Sequence, residues 1–196
     1  MLDWSDSDGA RFSHPTFPFK VLYLGPDKMT CFWERFGQEL LDQNPADRAL
    51  SEKEVAERVW KQVTISADPA LRLLDLRDAR VQRQLGADAA TFLAAYEVTQ
   101  AWALALMTHP ANIQGIIYNS RLNAPNHCVA LFDRVAVAPG AKSPLKARVL
   151  ALKPIDDASF LRELIREGIR FPTLLDFAIK GSKSSTSRLR SRRRGR

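Results

Sequence analysis

Four polar residues sit beside apolar runs in this chain: Arg11 in GARFSHP, Tyr23 in KVLYLG, Glu34 in CFWERF and Ser120 at the end of IQGIIYNSR. A cation, a phenol, a carboxylate and a hydroxyl at element ends suit the binding of a dinucleotide. They equally suit the stabilisation of positive charge at the anomeric carbon of a sugar. Each residue alone also has a plain structural reading. Glu34 could be a solvated helix residue, Ser120 could open a turn after a buried strand, Tyr23 could be core, and Arg11 could be a surface cation. The joint pattern is what points to chemistry.

Other chemistries lack their signatures. The chain has no GxxxxGK[ST] phosphate loop, no GxGxxG, and no GxSxG elbow around Ser120, which argues against a serine hydrolase. His14, His109 and His127 have no ligand-like spacing, so no metal site is expected. Cys31 and Cys128 form no CxxC pair and read as two buried thiols in a reducing compartment.

The 196 residues are 45% hydrophobic and 26% charged, an ordinary soluble composition. The formal charge of +7 is concentrated at one end. Residues 180–196 hold eight of the 29 basic residues and none of the 22 acids, leaving residues 1–179 at a formal −1. That end, with six arginines in its last nine residues, has almost nothing apolar to bury and is expected to be disordered. It could contact nucleic-acid phosphates, or simply be a solubilising terminus. Residues 1–179 are expected to form a single domain. The start MLDWSDSDG is acidic without an apolar core segment, and the longest apolar stretch, Ala101–Met107, is far too short to cross a membrane. A cytoplasmic protein with no membrane partner is the expectation.

The apolar pattern sets out the elements that must hold the four residues. Lys20–Leu24 reads as a buried strand closed by Gly25-Pro26. Asp27 can cap a helix carrying Phe32, Trp33, Phe36, Leu40 and Leu41, which places Glu34 near a helix start where the dipole would favour its charge. Ser51–Glu54 has the capping-box pattern of a short helix. Val59–Ile65 and Leu71–Leu76 read as strands, and Asp88–Thr108 as one long helix stopped by His109-Pro110. Strands are expected at Ile113–Tyr118, Val129–Phe132 and Arg148–Lys153, with Val135–Ala138 extended as well. A helix should run from Asp156 to Arg166, and Pro172 should open a last helical turn. The mix has too few βαβ units for a doubly wound sheet, so the fold class is α+β.

The blocks GARFSHP, FKVLYLGP and WERF, then LRLLDLRD, then YEVTQAWALAL and IQGIIYNSRLNAPNHCVALF together resemble the RES domain. That family is named for an arginine, a glutamate and a serine, and supplies the toxin of RES–Xre toxin–antitoxin systems. The likeness covers about residues 9–135, with a weaker likeness to about residue 155. Arg11 matches the arginine of the G-R-[FW] block, Tyr23 the tyrosine of the vLYla strand, Glu34 the glutamate, and Ser120 the serine of the Y-x-S-R block. Tyr118 and Arg121 match flanking positions.

The resemblance implies an α+β fold of mixed, largely antiparallel sheets with flanking helices, similar to ADP-ribosyltransferase toxins. It implies a toxin that consumes NAD as substrate, with no further cofactor, and is neutralised by an Xre-type antitoxin. In that reading Glu34, Arg11, Tyr23 and Ser120 do the chemistry, and Arg11, Tyr23, Tyr118, Ser120 and Arg121 hold NAD. The bond cleaved would join nicotinamide to ribose, with water or phosphate as acceptor. ADP-ribosylation of a protein is the alternative. A third reading is a catalytically weakened binding module, since the family's arginine upstream of the G-R-[FW] block has no counterpart in Asp3–Asp6.

Overall fold

The computed structural model describes residues 10–16, 19–67, 70–133, 145–154 and 157–171. The expected strand at 135–138, the helical turn at Pro172 and the basic tail lie outside the described residues. The chain divides into two compact units, one of residues 1–37 and 63–150, the other of residues 38–62 and 151–196.

The first unit is built on a four-stranded sheet of β1 (Val21–Leu24), β3 (Leu73–Asp75), β4 (Gly115–Asn119) and β5 (His127–Phe132), in the order β1-β5-β4-β3. β5 is antiparallel to both its neighbours, and β3 and β4 are parallel. A separate pair joins β2 (Val59–Ala67) to β6 (Leu145–Pro154). The expected α+β class therefore holds, with a mixed, mostly antiparallel main sheet.

Register explains which side chains share a face. Tyr23 lies opposite Ala130, Ala130 opposite Ile116, and Tyr118 opposite Cys128. Strand side chains alternate between faces, so Val21, Tyr23, Ile116, Tyr118, Cys128, Ala130 and Phe132 all project to one side. They form one core with Phe12, Phe92 and the α4 residues Ala103, Leu106 and Met107, where α4 spans Tyr96–Thr108. At Gly115 the backbones come close. An added Cβ would stand 2.6 Å from the Ala130 carbonyl oxygen and 3.0 Å from Leu73 Cδ2.

The helices depart from the sequence pattern in instructive ways. α1 (Lys28–Leu41) begins as expected, with the Thr30 N–H donating to the Asp27 carboxylate at 2.7 Å. The long helix expected over Asp88–Thr108 is broken. Reciprocal bonds between Asp88 and Thr91 open a short 3₁₀ turn at Thr91–Leu93, the backbone turns extended at Ala94 and Ala95, and α4 starts at Tyr96. A further helix, α3 (Ala79–Gln84), had no apolar signal because none of its residues is buried. Gly86 follows it at φ +68°, in the left-handed region a helix-terminating turn requires.

In the second unit, Ser51 caps α2 (Glu52–Ala56) through the Glu54 N–H, as its sequence pattern implies. Asp157 caps α5 (Ala158–Arg166), which buries Phe160 and Leu164 one turn apart. Among the described residues no helix is long and apolar enough to cross a membrane.

Candidate active site

Glu34 lies on α1, and its two carboxylate oxygens each receive a hydroxyl. Ser120, the first residue after β4, donates from Oγ to Glu34 Oε1 at 2.7 Å. Tyr118, two residues earlier on β4, donates to Glu34 Oε2 at 3.3 Å. A carboxylate oxygen has two lone pairs, so each keeps one for a further donor. Glu34 is itself exposed, while Ser120 and Tyr118 are buried. The exposed acid thus rests on two buried hydroxyls.

Its place on α1 corrects one expectation. Glu34 is the seventh residue of the helix, beyond the first turn, which carries no acid. The helix dipole fades within that turn, so the hydroxyls rather than the dipole are its local partners.

Ser120 is oriented as well as bonded. Its Oγ accepts the Asn123 backbone N–H at 3.0 Å, which leaves its proton for Glu34. The loop from Ser120 to Asn126 then lies along α1. Asn123 Nδ2 donates to Thr30 Oγ1 at 2.8 Å, and Asn126 Nδ2 donates to the same oxygen at 2.9 Å and to Asp27 Oδ2 at 3.3 Å. Leu122 packs where an α1 side chain would otherwise stand: an added Cβ on Gly37 would meet Leu122 Cδ1 at 2.5 Å. Asp27, Thr30, Glu34 and Gly37 recur at three- and four-residue steps, the spacing of one helix face.

Tyr23 approaches from β1. Its phenol oxygen accepts the Phe12 N–H at 2.9 Å, so the residue after Arg11 is tied to the sheet. Burial is the main cause that raises the Tyr23 phenol well above its ordinary range, and the nearby charge of Glu34 adds to it while Arg11 opposes it. One phenol therefore senses both the acid and the cation. Tyr118 is raised for the same two reasons, burial first and Glu34 second, and stays a neutral donor. Cys128, opposite Tyr118 in the pairing of β4 and β5, is pushed up to about 12 by burial and by Glu34. Cys31 corrects the expectation of two buried thiols, because it is exposed, and partial desolvation of its sulfur still raises it.

Arg11 has a structural task that the sequence did not reveal. Its Nη1 donates to the carbonyls of Ala94 at 3.1 Å and Phe92 at 3.4 Å, both freed where the expected long helix breaks. Its guanidinium carbon lies 4.9 Å from the centre of the Tyr96 ring. Arg121 is exposed in the turn after Ser120. Arg11, Tyr23, Glu34, Tyr118 and Ser120 are thus linked near the ends of β1 and β4 and the second turn of α1, through the Tyr23 bond to the Phe12 N–H, the Phe12–Tyr118 ring contact and the two hydroxyls on Glu34. Thr30, Tyr96, Asn123 and Asn126 join them unannounced. Thr30 had one available signal, its place one turn before Glu34 on the same helix face.

The profile of the RES domain matches residues 3–152, and the chain belongs to that family. A stretch of 81 residues is 37% identical to "Probable toxin y4kH" of Sinorhizobium fredii (strain NBRC 101917 / NGR234), covering 41% of this chain and 62% of that protein. No solved structure matches the chain.

Proposed function

We propose that this chain is an enzymatic toxin that cleaves the nicotinamide–ribose bond of NAD and is neutralised by an Xre-type antitoxin. Membership of the RES family and the likeness to a protein named as a probable toxin support the toxin reading. The observation that carries the chemistry is the Ser120–Glu34–Tyr118 arrangement, a solvent-facing carboxylate oriented by two hydroxyls.

That arrangement fits the reaction. When the bond between C1′ and the pyridinium nitrogen breaks, the electron pair leaves with neutral nicotinamide, and the ribose becomes oxocarbenium-like. No proton need be given to the leaving group. The main demand is for negative charge close to the sugar and a firm hold on its hydroxyls. Glu34 has one lone pair per oxygen for the ribose hydroxyls while Ser120 and Tyr118 fix its plane. Water or inorganic phosphate then bonds to C1′ and loses a proton, giving ADP-ribose or its 1-phosphate. Arg11 spends Nη1 on the protein, and its other N–H groups are assigned to the pyrophosphate. Tyr23 is assigned to pack on the nicotinamide or ribose, with Arg121 and Tyr118 beside it. A fold similar to ADP-ribosyltransferase toxins belongs to the same proposal.

Incubating purified protein with NAD, with and without phosphate, and identifying the products tests the reading. Free nicotinamide with ADP-ribose or its 1-phosphate is expected. Intact NAD would overturn it, and ADP-ribose attached to a protein would move the enzyme to the transferase class.

A further inference from the structure

Two rows of polar residues face each other across the site in opposite directions. Along α1 run Asp27, Thr30 and Glu34, at steps of three and four. Along the loop after β4 run Ser120, Asn123 and Asn126, at steps of three. Ser120 meets Glu34, Asn123 meets Thr30, and Asn126 meets both Thr30 and Asp27. A helix presents side chains three and four apart on one face, so a loop of matching step can bond along its whole first two turns.

Asn123 links the two ends of this ladder. Its side chain is fixed on Thr30, and its backbone N–H occupies Ser120 Oγ. Thr30 is fully buried, and its oxygen accepts from two side-chain amides. The loop itself is closed by the Ser120 N–H on the Asn126 carbonyl at 2.9 Å and by the Asn126 N–H on the Asn123 carbonyl at 3.0 Å. The Asn123 N–H can hold the Ser120 oxygen only while the loop stays at this height along α1. With that donor in place, the Ser120 proton points to Glu34. Without it, the hydroxyl is free to rotate and the carboxylate plane loses one of its two fixed points.

We infer that Thr30 and Asn123 are positioning residues that set the Glu34 carboxylate through the Ser120 hydroxyl, without touching substrate themselves. The inference rests on the reading that Glu34 acts on the ribose of NAD. It has a particular kinetic signature. Misalignment of a group that acts at the transition state lowers turnover and spares affinity, because the remote contacts to the dinucleotide are unchanged.

The test compares Thr30→Val, which keeps the shape and removes the acceptor, with Thr30→Ser, which restores it. Asn123→Asp is the second variant, since it keeps size and removes the side-chain donor. With NAD as substrate, Thr30→Val and Asn123→Asp are expected to lower kcat about tenfold with KM within about twofold, and Thr30→Ser to recover most of the loss. Hydrogen exchange of the Asn123 backbone amide should quicken about tenfold in Thr30→Val and not in Thr30→Ser. Unchanged kcat in Thr30→Val would overturn the inference and leave the NAD reaction standing. So would a Thr30→Ser protein whose kcat is as low as that of Thr30→Val. If the unaltered protein leaves NAD intact, the reaction fails on its own, and unaltered Asn123 exchange in Thr30→Val would then overturn the positioning role.

Discussion

The Ser120 hydroxyl lies 2.7 Å from one oxygen of Glu34, although the two residues are 86 apart in the chain. Its oxygen is already taken by the Asn123 N–H, so the direction of its proton is decided by the backbone. A short loop thereby dictates the geometry of an acid on a different element.

Replacing Glu34 by Gln keeps the side-chain volume at an exposed position and removes its charge. NAD cleavage should fall by about 10²–10³-fold or more, the scale of losing a main electrostatic contact to a transition state. The melting curve should be almost unchanged. Initial rates on protein of verified circular dichroism check both points.

Ser120→Ala is expected to cost less, about tenfold to a hundredfold in kcat, because Tyr118 still holds the other carboxylate oxygen. It should also lower stability by about 1 kcal/mol, since the Asn123 N–H loses its acceptor. Urea unfolding beside steady-state kinetics separates the two effects.

Arg11→Lys should weaken both the fold and the site. A lysine ammonium cannot bond the Phe92 and Ala94 carbonyls and lie flat over Tyr96 at once. A stability loss of about 1–2 kcal/mol is expected, together with a raised KM for NAD. Restored stability with added NAD would show that the substrate still reaches the site.

Gly115→Ala tests the close approach in the main sheet. The new methyl would meet the Ala130 carbonyl at 2.6 Å, and backbone cannot yield as a side-chain tip can. Destabilisation of about 1–3 kcal/mol is expected, read as a lower urea midpoint at unchanged slope.

Alkaline pH should destabilise the protein through its buried thiol. Cys128 holds its proton up to about 12 when folded, against 9.0 ordinarily, so between those values the unfolded chain binds fewer protons. Stability from this group is complete below pH 9.0 and falls as pH climbs towards 12. Tyr23 and Tyr118 add the same trend above their ordinary value of 10.0. Cys128→Ala should flatten the decline between about pH 9 and 10. Slow labelling of Cys128 by a thiol reagent at pH 8 would agree with its raised value.

Much of the site was legible because its residues punctuate strong local patterns. Tyr23 lies within a short apolar strand, Ser120 follows another, and Asp27 caps the helix that bears Glu34. What escaped depends on contacts distant in sequence. The break before Tyr96 leaves two carbonyls that Arg11 satisfies from more than 80 residues away. The pairing of Asn123 and Asn126 with Thr30 spans more than 90 residues, and the spacing within each segment does not say which partner it meets. α3 gave no signal since it packs no side chain into a core. The dipole assigned to Glu34 failed for a simpler reason: the acid lies one turn too far along.

Arg11 makes the beginning of the chain a fastener for its middle. The 3₁₀ turn at Thr91–Leu93 and the first residue of α4 are joined by that one side chain, which also borders the proposed substrate site. Loss of activity on removing it would therefore combine a missing anchor with a loosened turn. Residues 92–96 can drift only while they keep two outward carbonyls and an aromatic plane for the same guanidinium.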